Sequence, residues 1–550
     1  MQALEQKTPV DMLAHWAHTR PNDIYLHQPV QREWRSWSWA QALDEVRRMA
    51  TALKARGYAP GSRIAILSKN CAHWFMADFA IMLAGYVSVP LFQNQSPEGI
   101  GYVLEHCDAK LVFVGKLDEP DKVDAALPAT LARIAFPYPG KLRGEDWDEL
   151  VARHPPAALE TAPVLDDVAT FIYTSGTTGH PKGAVHRYRQ IAAATAAGRR
   201  AFELNPQDSF FSYLPLSHAA ERFMVEMISV YGGVPVYFAE SLDTFAADLQ
   251  HVQPTLFFAV PRLWTKFQQG ILAKLPQRKL DLLLRLPIVS GLIKRKIRHG
   301  LGLSRARIII SGAAAISPSL QQWYRRLGVN IQEGYAMTEL FCYGVINPPN
   351  GIRIGYVGKP LPGLEVKTAD NGELLLRCPA VMDGYYRDPE KTAEVLTPDG
   401  FYRTGDLGEI NRDGYVRITG RAREQFKTAK GKFVSPTHIE GKLLENQAIE
   451  QICLMGSDLP HTIAVAVLSE QARQSARDAL QASLAATVDR VNRVLEKHEQ
   501  VGKLVVVSEP WTIDNGLLTP TLKLKRHVVE QRYLALVEKL IEHPDLVMWE

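Results

Sequence analysis

The feature that most constrains this chain is an alternation. Short runs rich in β-branched and aromatic residues recur along its first two-thirds: RIAILS (63–68), KLVFVG (110–115), TFIYTS (170–175), PTLFFAV (254–260) and RIIISG (307–312). Between them lie stretches with apolar residues at helical spacing, such as Ala40 to Gly57, where the glycine marks the stop. Strands alternating with helices predict α/β layers. Beyond about residue 350 the texture shifts to glycine-rich segments with short alternating strands and tight turns such as Asp413-Gly414, which predicts a smaller β-rich region. A third texture, charged and punctuated by glycine, begins near Arg421 and leads into a compact α+β segment. The predicted division is a large domain over 1–420 and a small one over 421–550, with a hinge near 420–424.

A chain of 550 residues is too long for one ordinary domain. Its net charge of +4 gives no global case for nucleic-acid binding. Five cysteines, none at CxxC spacing, indicate neither a zinc site nor a disulfide framework and suit a reducing cytoplasm. The most apolar stretch, Trp74 to Phe92, approaches membrane-span length, but Asp78, Gly85 and Pro90 interrupt it. It reads as a buried helix running into a strand.

The densest chemistry lies in YTSGTTGHPKGA (173–184), directly after an apolar run. Glycines expose backbone N–H groups, hydroxyls add donors, and Lys182 adds a point charge, so the stretch reads as a phosphate-gripping loop. The Walker spacing does not fit, and Pro181 stands where that loop would enter its helix. Taken alone, such a stretch could also be a solvated surface loop.

The loop resembles the signature of the adenylate-forming superfamily of acyl-CoA synthetases, nonribosomal-peptide adenylation domains and luciferases. Further family motifs follow in order: YLPLSH (213–218), EGYAMTE (333–339), YRTGDL (402–407), GRAREQFKTAKGKFVSPTHIE (420–440) and NGLLTPTLKLKR (515–526). The resemblance runs from about residue 10 to about 540. It implies an N-terminal adenylation domain and a mobile C-terminal domain. It also implies a two-step reaction: a carboxylate attacks the α-phosphorus of ATP, and a thiol then displaces AMP.

The resemblance assigns roles by position. Thr174, Ser175, Gly176, Thr177, Thr178, Gly179 and Lys182 would hold phosphates. Glu339, with Thr174, would bind Mg²⁺, which favours hard oxygen ligands. Glu333, Gly334, Tyr335 and Thr338 belong to the nucleotide motif, with Tyr335 against the adenine and Gly312 and Ala313 on the opposite wall. Asp406 would accept the ribose hydroxyls, beside Arg421. Lys523 would stabilise charge at the α-phosphate and acyl carboxylate, with Lys525 as a rival. Arg423 would be the hinge residue, where the family usually has Asp or Lys, and Lys427 would contact nucleotide or coenzyme. His218 would lie near the substrate carboxylate. Two further departures stand out: Thr521-Leu522-Lys523 replaces Ser-Gly-Lys, and Ala313-Ala314-Ala315 replaces a run with Pro or Leu nearby.

LPLSHAAERF (214–223), VPRLWTKF (260–267) and LTPTLKLKR resemble the long-chain fatty acid branch, which implies an apolar acyl tunnel near His218 and Trp264. The expected activity is therefore a fatty acid–CoA ligase using ATP, Mg²⁺ and CoA. The alternatives are loading of an acyl carrier protein, an aryl or other acid, or a non-catalytic sensor. The segment 274–300 is basic and leucine-rich. It reads either as a packed surface helix with a basic outer face, the plainer reading, or as a weak peripheral contact with anionic membrane.

Overall fold

A computed structural model describes residues 6–140, 143–174, 180–428, 432–457, 459–519, 522–541 and 543–550. Its first part is organised by two large sheets. One is nine-stranded, with a parallel centre formed by Ile24–Val30, Val236–Phe238, Phe210–Ser212, Leu256–Ala259, Ile308–Ser311 and Gln332–Tyr335. Antiparallel strands close its edges. The other is eight-stranded, and Val87–Pro90, Arg63–Leu67 and Ala109–Val114 form part of its parallel portion. It ends in an antiparallel turn-back of Val168–Thr174 against Lys182–Arg187. All five strand runs expected from the sequence fall in these sheets.

The apolar stretch from Trp74 is explained by where its helix sits. Every residue of Ala72–Leu83 is buried, including Asp78, and the chain then turns at Gly85 into the strand Val87–Pro90. Among the described residues no helix is long and apolar enough to cross a membrane.

Asp78 is tolerated because Arg222 meets it. Arg222 and Asp78 form an ion pair with both side chains fully enclosed. The same guanidinium donates to Glu226 at 3.2 Å and to the Thr170 hydroxyl at 2.7 Å. Two carboxyls face one cation in a dry site, and burial next to Asp78 holds the Glu226 carboxyl well above the usual range. Arg222 and Glu226 belong to a π-helical turn, Arg222–Met227, which packs against the helix Tyr188–Ala201. Close by, Glu221 accepts from the Ser212 hydroxyl at 2.8 Å, the Tyr213 amide at 3.0 Å and the Asn70 amide at 3.3 Å.

The β-rich region is a four-stranded antiparallel sheet of Glu365–Thr368, Glu373–Arg377, Tyr402–Ile410 and Val416–Arg421. Gly414, at φ +79°, makes the expected turn between the last two strands. From Phe426 onward the chain has its own hydrophobic clusters. They lie on the two faces of the sheet Ile449–Met455, Thr462–Leu468, Val501–Val507 and Val547–Trp549. Arg477–Asn492 covers one face and Arg526–Leu540 the other. The five cysteines are free and buried.

Two predictions follow from the buried charges. Arg222→Ala strands two carboxyls and should lower the unfolding free energy by about 3–5 kcal/mol, read by urea denaturation. The Glu221 carboxyl is pushed up to about 8 by burial. A carboxyl raised in the folded state contributes stability below its ordinary range and loses it as pH rises through the folded value. The urea midpoint should therefore fall from about pH 5 to about pH 8 and level off above that, and Glu221→Gln should flatten the fall.

Candidate active site

The site forms where strands end. Thr174 closes the strand Val168–Thr174, Gly312 and Ala313 follow Ile308–Ser311, Tyr335 ends Gln332–Tyr335, and His218 follows Phe210–Ser212. In layered α/β folds this is the edge at which ligands gather. The β-rich sheet adds Asp406 and Arg421, which face each other across two paired strands. The far end of the chain adds Lys523. All of these line one cleft of about 2710 Å³, and the C-terminal part forms its other wall.

Phosphate-loop residues 175–179 lie outside the described residues. Their flanks are in place: Thr174 pairs with Lys182 across the hairpin, and Lys182 Nζ stands 5.3 Å from the centroid of the Tyr385 ring. Tyr385 reaches this position because Gly384–Tyr385 adds to the edge of Lys182–Arg187. Its hydroxyl donates to Glu339 Oε1 at 2.7 Å and lies 3.5 Å from the Tyr402 hydroxyl. Glu339 sits in a short 3-10 turn, Thr338–Leu340, anchored by His186 Nε2, which donates to the Thr338 carbonyl at 2.8 Å. Glu339 and Thr174 thus place a carboxylate and a hydroxyl on the same cleft. That small hard-oxygen set fits Mg²⁺, which keeps water and substrate phosphates as its other ligands.

Opposite, the Tyr335 hydroxyl donates to Asp406 Oδ2 at 2.7 Å, and Arg421 Nε donates to Asp406 Oδ1 at 2.9 Å. Gly312 leaves a close approach open: a Cβ there would lie 3.1 Å from the Gly334 carbonyl and 3.3 Å from the Phe258 ring. Ala313 holds φ +65°, a left-handed conformation that a residue with a Cβ adopts at a cost. Glu333 does not face open cleft alone. Its carboxylate accepts from the Ile316 amide at 3.3 Å, bracing the 312–316 loop, and burial pushes it up to about 7.

Lys523 lies on a tight turn. Its amide donates to the Thr519 hydroxyl at 3.0 Å, its carbonyl accepts from the Thr519 amide at 2.8 Å, and Leu522 takes φ +59°. The ammonium faces the space of the cleft. Protein encloses it closely enough that desolvation holds it below the usual lysine range, with Arg421 pushing the same way and Asp406 and Glu339 opposing. Lys525 instead starts the helix Arg526–Leu540 and does not line the cleft. His218 Nδ1 accepts from the Ala220 amide at 3.1 Å, so its Nε2 carries the proton when the ring is neutral. Burial, with Lys523 nearby, lowers this ring to about 4. Beside it the cleft wall turns apolar with Ala220, Phe223, Met224, Phe258 and Ile310.

Arg423 lies in the turn Ala422–Glu424, largely exposed, 3.9 Å from Glu394. Lys427 Nζ stands 5.8 Å from the Phe433 ring centroid. Trp264 is not brought to the site. It is fully buried, edge-on to Phe257 and Tyr324, in the cluster beneath its helix. The cleft side of that helix carries Arg262, Thr265 and Lys266 instead. Tyr385 and Tyr402 are site residues that the sequence reading did not assign; Tyr402 opens the quoted YRTGDL, while Tyr385 depends on a pairing almost two hundred residues away in sequence.

A family model described as AMP-binding enzyme matches residues 13–386, and one described as AMP-binding enzyme C-terminal domain matches 424–544. The chain belongs to the AMP-binding enzyme family. It is 30% identical to the long-chain-fatty-acid–CoA ligase FadD15 of Mycobacterium bovis, with 94% of each chain covered. It is also 30% identical to long-chain-fatty-acid–CoA ligase 5 of Rattus norvegicus, covering 92% of this chain and 84% of that one. The fold is shared with an anthranilate CoA ligase solved with anthranoyl-AMP, at TM-score 0.79, 22% identity and coverage of 97% and 98%. The adenylation domain of a carboxylate reductase from Mycobacterium chelonae gives TM-score 0.82 at 23% identity, covering 98% of this chain and 93% of that one.

Asp406→Ala removes the acceptor shared by Tyr335 and Arg421. It should weaken AMP binding by roughly tenfold to a hundredfold in calorimetry, as expected for losing charge-assisted hydrogen bonds, and lower the thermal midpoint because the Tyr335 hydroxyl and Arg421 lose their acceptor.

Proposed function

We propose that the protein activates a long- or medium-chain fatty acid with ATP and transfers the acyl group to coenzyme A. The observation that carries this reading is the meeting of Lys523, from the far end of the chain, with His218, Glu339 and Asp406 in one cleft whose wall beside His218 is apolar. The 30% identity to long-chain-fatty-acid–CoA ligases over most of the chain supports the substrate class.

In the first half-reaction a carboxylate oxygen bonds to the α-phosphorus as the bond to the departing pyrophosphate breaks. Both reactants are anions, so positioning and charge neutralisation dominate. Lys523 would face the α-phosphate and the acyl carboxylate, and Lys182 the outgoing phosphates. Asp406, held by Tyr335 and Arg421, would take the ribose. Glu339 and Thr174 would hold Mg²⁺, which supplies charge neutralisation at the phosphates when bound. His218, neutral near pH 7, would present an Nε2–H donor at the entrance of the apolar chamber. In the second half-reaction the thiol sulfur bonds to the acyl carbon, the bond to AMP breaks and the thiol proton is lost.

The C-terminal part, read as 421–550, would turn about Arg423 between the two steps, withdrawing Lys523 and bringing Lys427 into play. With Arg421 left on Asp406 before the pivot, the polar side-chain contacts to break among the described residues include the Arg262–Glu450 ion pair, the Gln447–Gln268 hydrogen bond at 3.2 Å and the Arg423–Glu394 approach. A cytoplasmic enzyme with membrane contact along 274–300 belongs to the same reading, with the acceptor a free coenzyme rather than a carrier protein.

The test is an acid panel from acetate and benzoate to C18, with ATP and Mg²⁺, run with and without CoA, reading pyrophosphate and products by mass spectrometry. Acyl-CoA formation peaking on C12–C18 acids is expected. Lys523→Ala should cut acid-dependent pyrophosphate release by about 10²–10³ while leaving AMP binding nearly unchanged, the scale of losing one preorganised charge from an acyl- or phosphoryl-transfer site. Pyrophosphate without acyl-CoA would point to a carrier-protein thiol, and turnover confined to benzoate would replace the substrate class.

A further inference from the structure

The segment 274–300 forms two helices, Gln277–Arg285 and Pro287–Gly300, packed against each other as a hairpin. Its inner side is anchored. Leu280 and Ser290 are buried, while Leu284, Ile293 and Ile297 pack on the core, and Asp281 pairs with Arg326. Its outer side is unusual. Leu282, Leu286, Ile288 and Leu292 are 60%, 47%, 83% and 64% exposed, and they fall within eleven residues around the hairpin tip. Nine large apolar residues among the described residues are at least 47% exposed, and four of the nine are concentrated here.

We infer that this hairpin tip is a docking surface for an anionic lipid bilayer. On the second helix, Ile288 and Leu292 share a face with Arg295, Lys296 and His299 at spacings of four, seven, eight and eleven residues. On the first helix, Arg278 and Arg285 flank Leu282 in the same way. The exposed face is thus an apolar tip bordered by cations, the arrangement of segments that sit in the headgroup layer. Residues 274–300 contain eight lysines and arginines against one acid, Asp281, which is already paired. That excess disfavours a second copy of this chain as the occupant, because two-fold pairing would set like charges together. The segment has no Phe, Tyr or Trp, so it lacks the rings that would stack on nucleic-acid bases.

The surface adjoins the cleft. Trp323 lines the cleft, and its indole N–H donates at 2.9 Å to the Gln277 side chain, at the first residue of the hairpin. None of the hairpin residues lines the cleft; the inference deepens the membrane contact named in the proposed function, and vesicle binding tests it separately from turnover.

The experiment is co-sedimentation of purified protein with vesicles of phosphatidylcholine alone or with about a third phosphatidylglycerol, at low salt. The wild type should pellet with the anionic vesicles at least about tenfold more than with neutral ones, and salt should release it. The triple variant Leu282→Ser, Ile288→Ser, Leu292→Ser and the double variant Arg295→Glu, Lys296→Glu should each lose about tenfold or more of that binding, with thermal midpoints unchanged because all five side chains are exposed. Absence of pelleting by the wild type, equal pelleting with neutral vesicles, or retained binding in both variants would overturn the inference. So would concentration-dependent self-association in sedimentation velocity that the serine variant abolishes, which would mark the face as a contact between copies.

Discussion

Arg222 is the charge around which the larger part of the molecule is assembled. Its guanidinium reaches Asp78 on the helix between the sheets, Thr170 on the strand that leads to the phosphate loop, and Glu226 one turn along its own helix. Fully enclosed, the group has no water to fall back on, so each of these partners is held where it is by the cost of losing it. Two consequences reach the cleft. Thr170 lies four residues before Thr174, so the strand end that launches the loop is tied to the core. The π-helical turn that carries Arg222 also presents Phe223 and Met224 to the apolar wall. One buried ion cluster therefore fixes the relation between the phosphate end of the site and its apolar end.

The electrostatics of the cleft divide along the same line. On the side proposed for the nucleotide the carboxylates are paired or hydrogen-bonded: Asp406 by Tyr335 and Arg421, Glu339 by Tyr385. Lys523 arrives among them as a partly desolvated cation, so an anion entering the cleft meets charge that is already positioned and only weakly screened. On the side proposed for the acyl chain, burial keeps His218 neutral near pH 7 and the surroundings are apolar, as an uncharged tail would require. The left-handed backbone at Leu522 is the local cost of holding Lys523 there, at a position where the family motif usually carries glycine.

Much of this was legible from the sequence because it is local. β-branched runs made the strands, and Gly57, Gly85 and Gly414 stand at turns with positive φ. Lys182, Glu339, Tyr335, Asp406 and Lys523 were named by their motifs and do line one cleft. What escaped was non-local. Tyr385 touches the site only because Gly384–Tyr385 pairs with a strand two hundred residues earlier, and nothing near Tyr385 announces that pairing. Trp264 was expected in the acyl-pocket lining from its motif, but helical periodicity turns it inward onto Phe257 and Tyr324 while its neighbours face the cleft. In the basic leucine-rich segment, composition alone could not say which side the leucines take; the plainer reading of a packed helix holds for Leu280, Leu284 and Ile293 and fails at Leu282, Ile288 and Leu292.

The contact between Arg262 and Glu450 joins the two walls of the cleft through side chains that are about half and one-third exposed. A pair at such a wet rim is screened by dissolved ions, whereas Lys523 and its neighbours, shut between the walls, are not. Under the proposed turn of the C-terminal part, ionic strength would act on the interval between the two half-reactions more than on the barrier of either. In a cell whose salt content shifts, the timing of the cycle would change before its chemistry does.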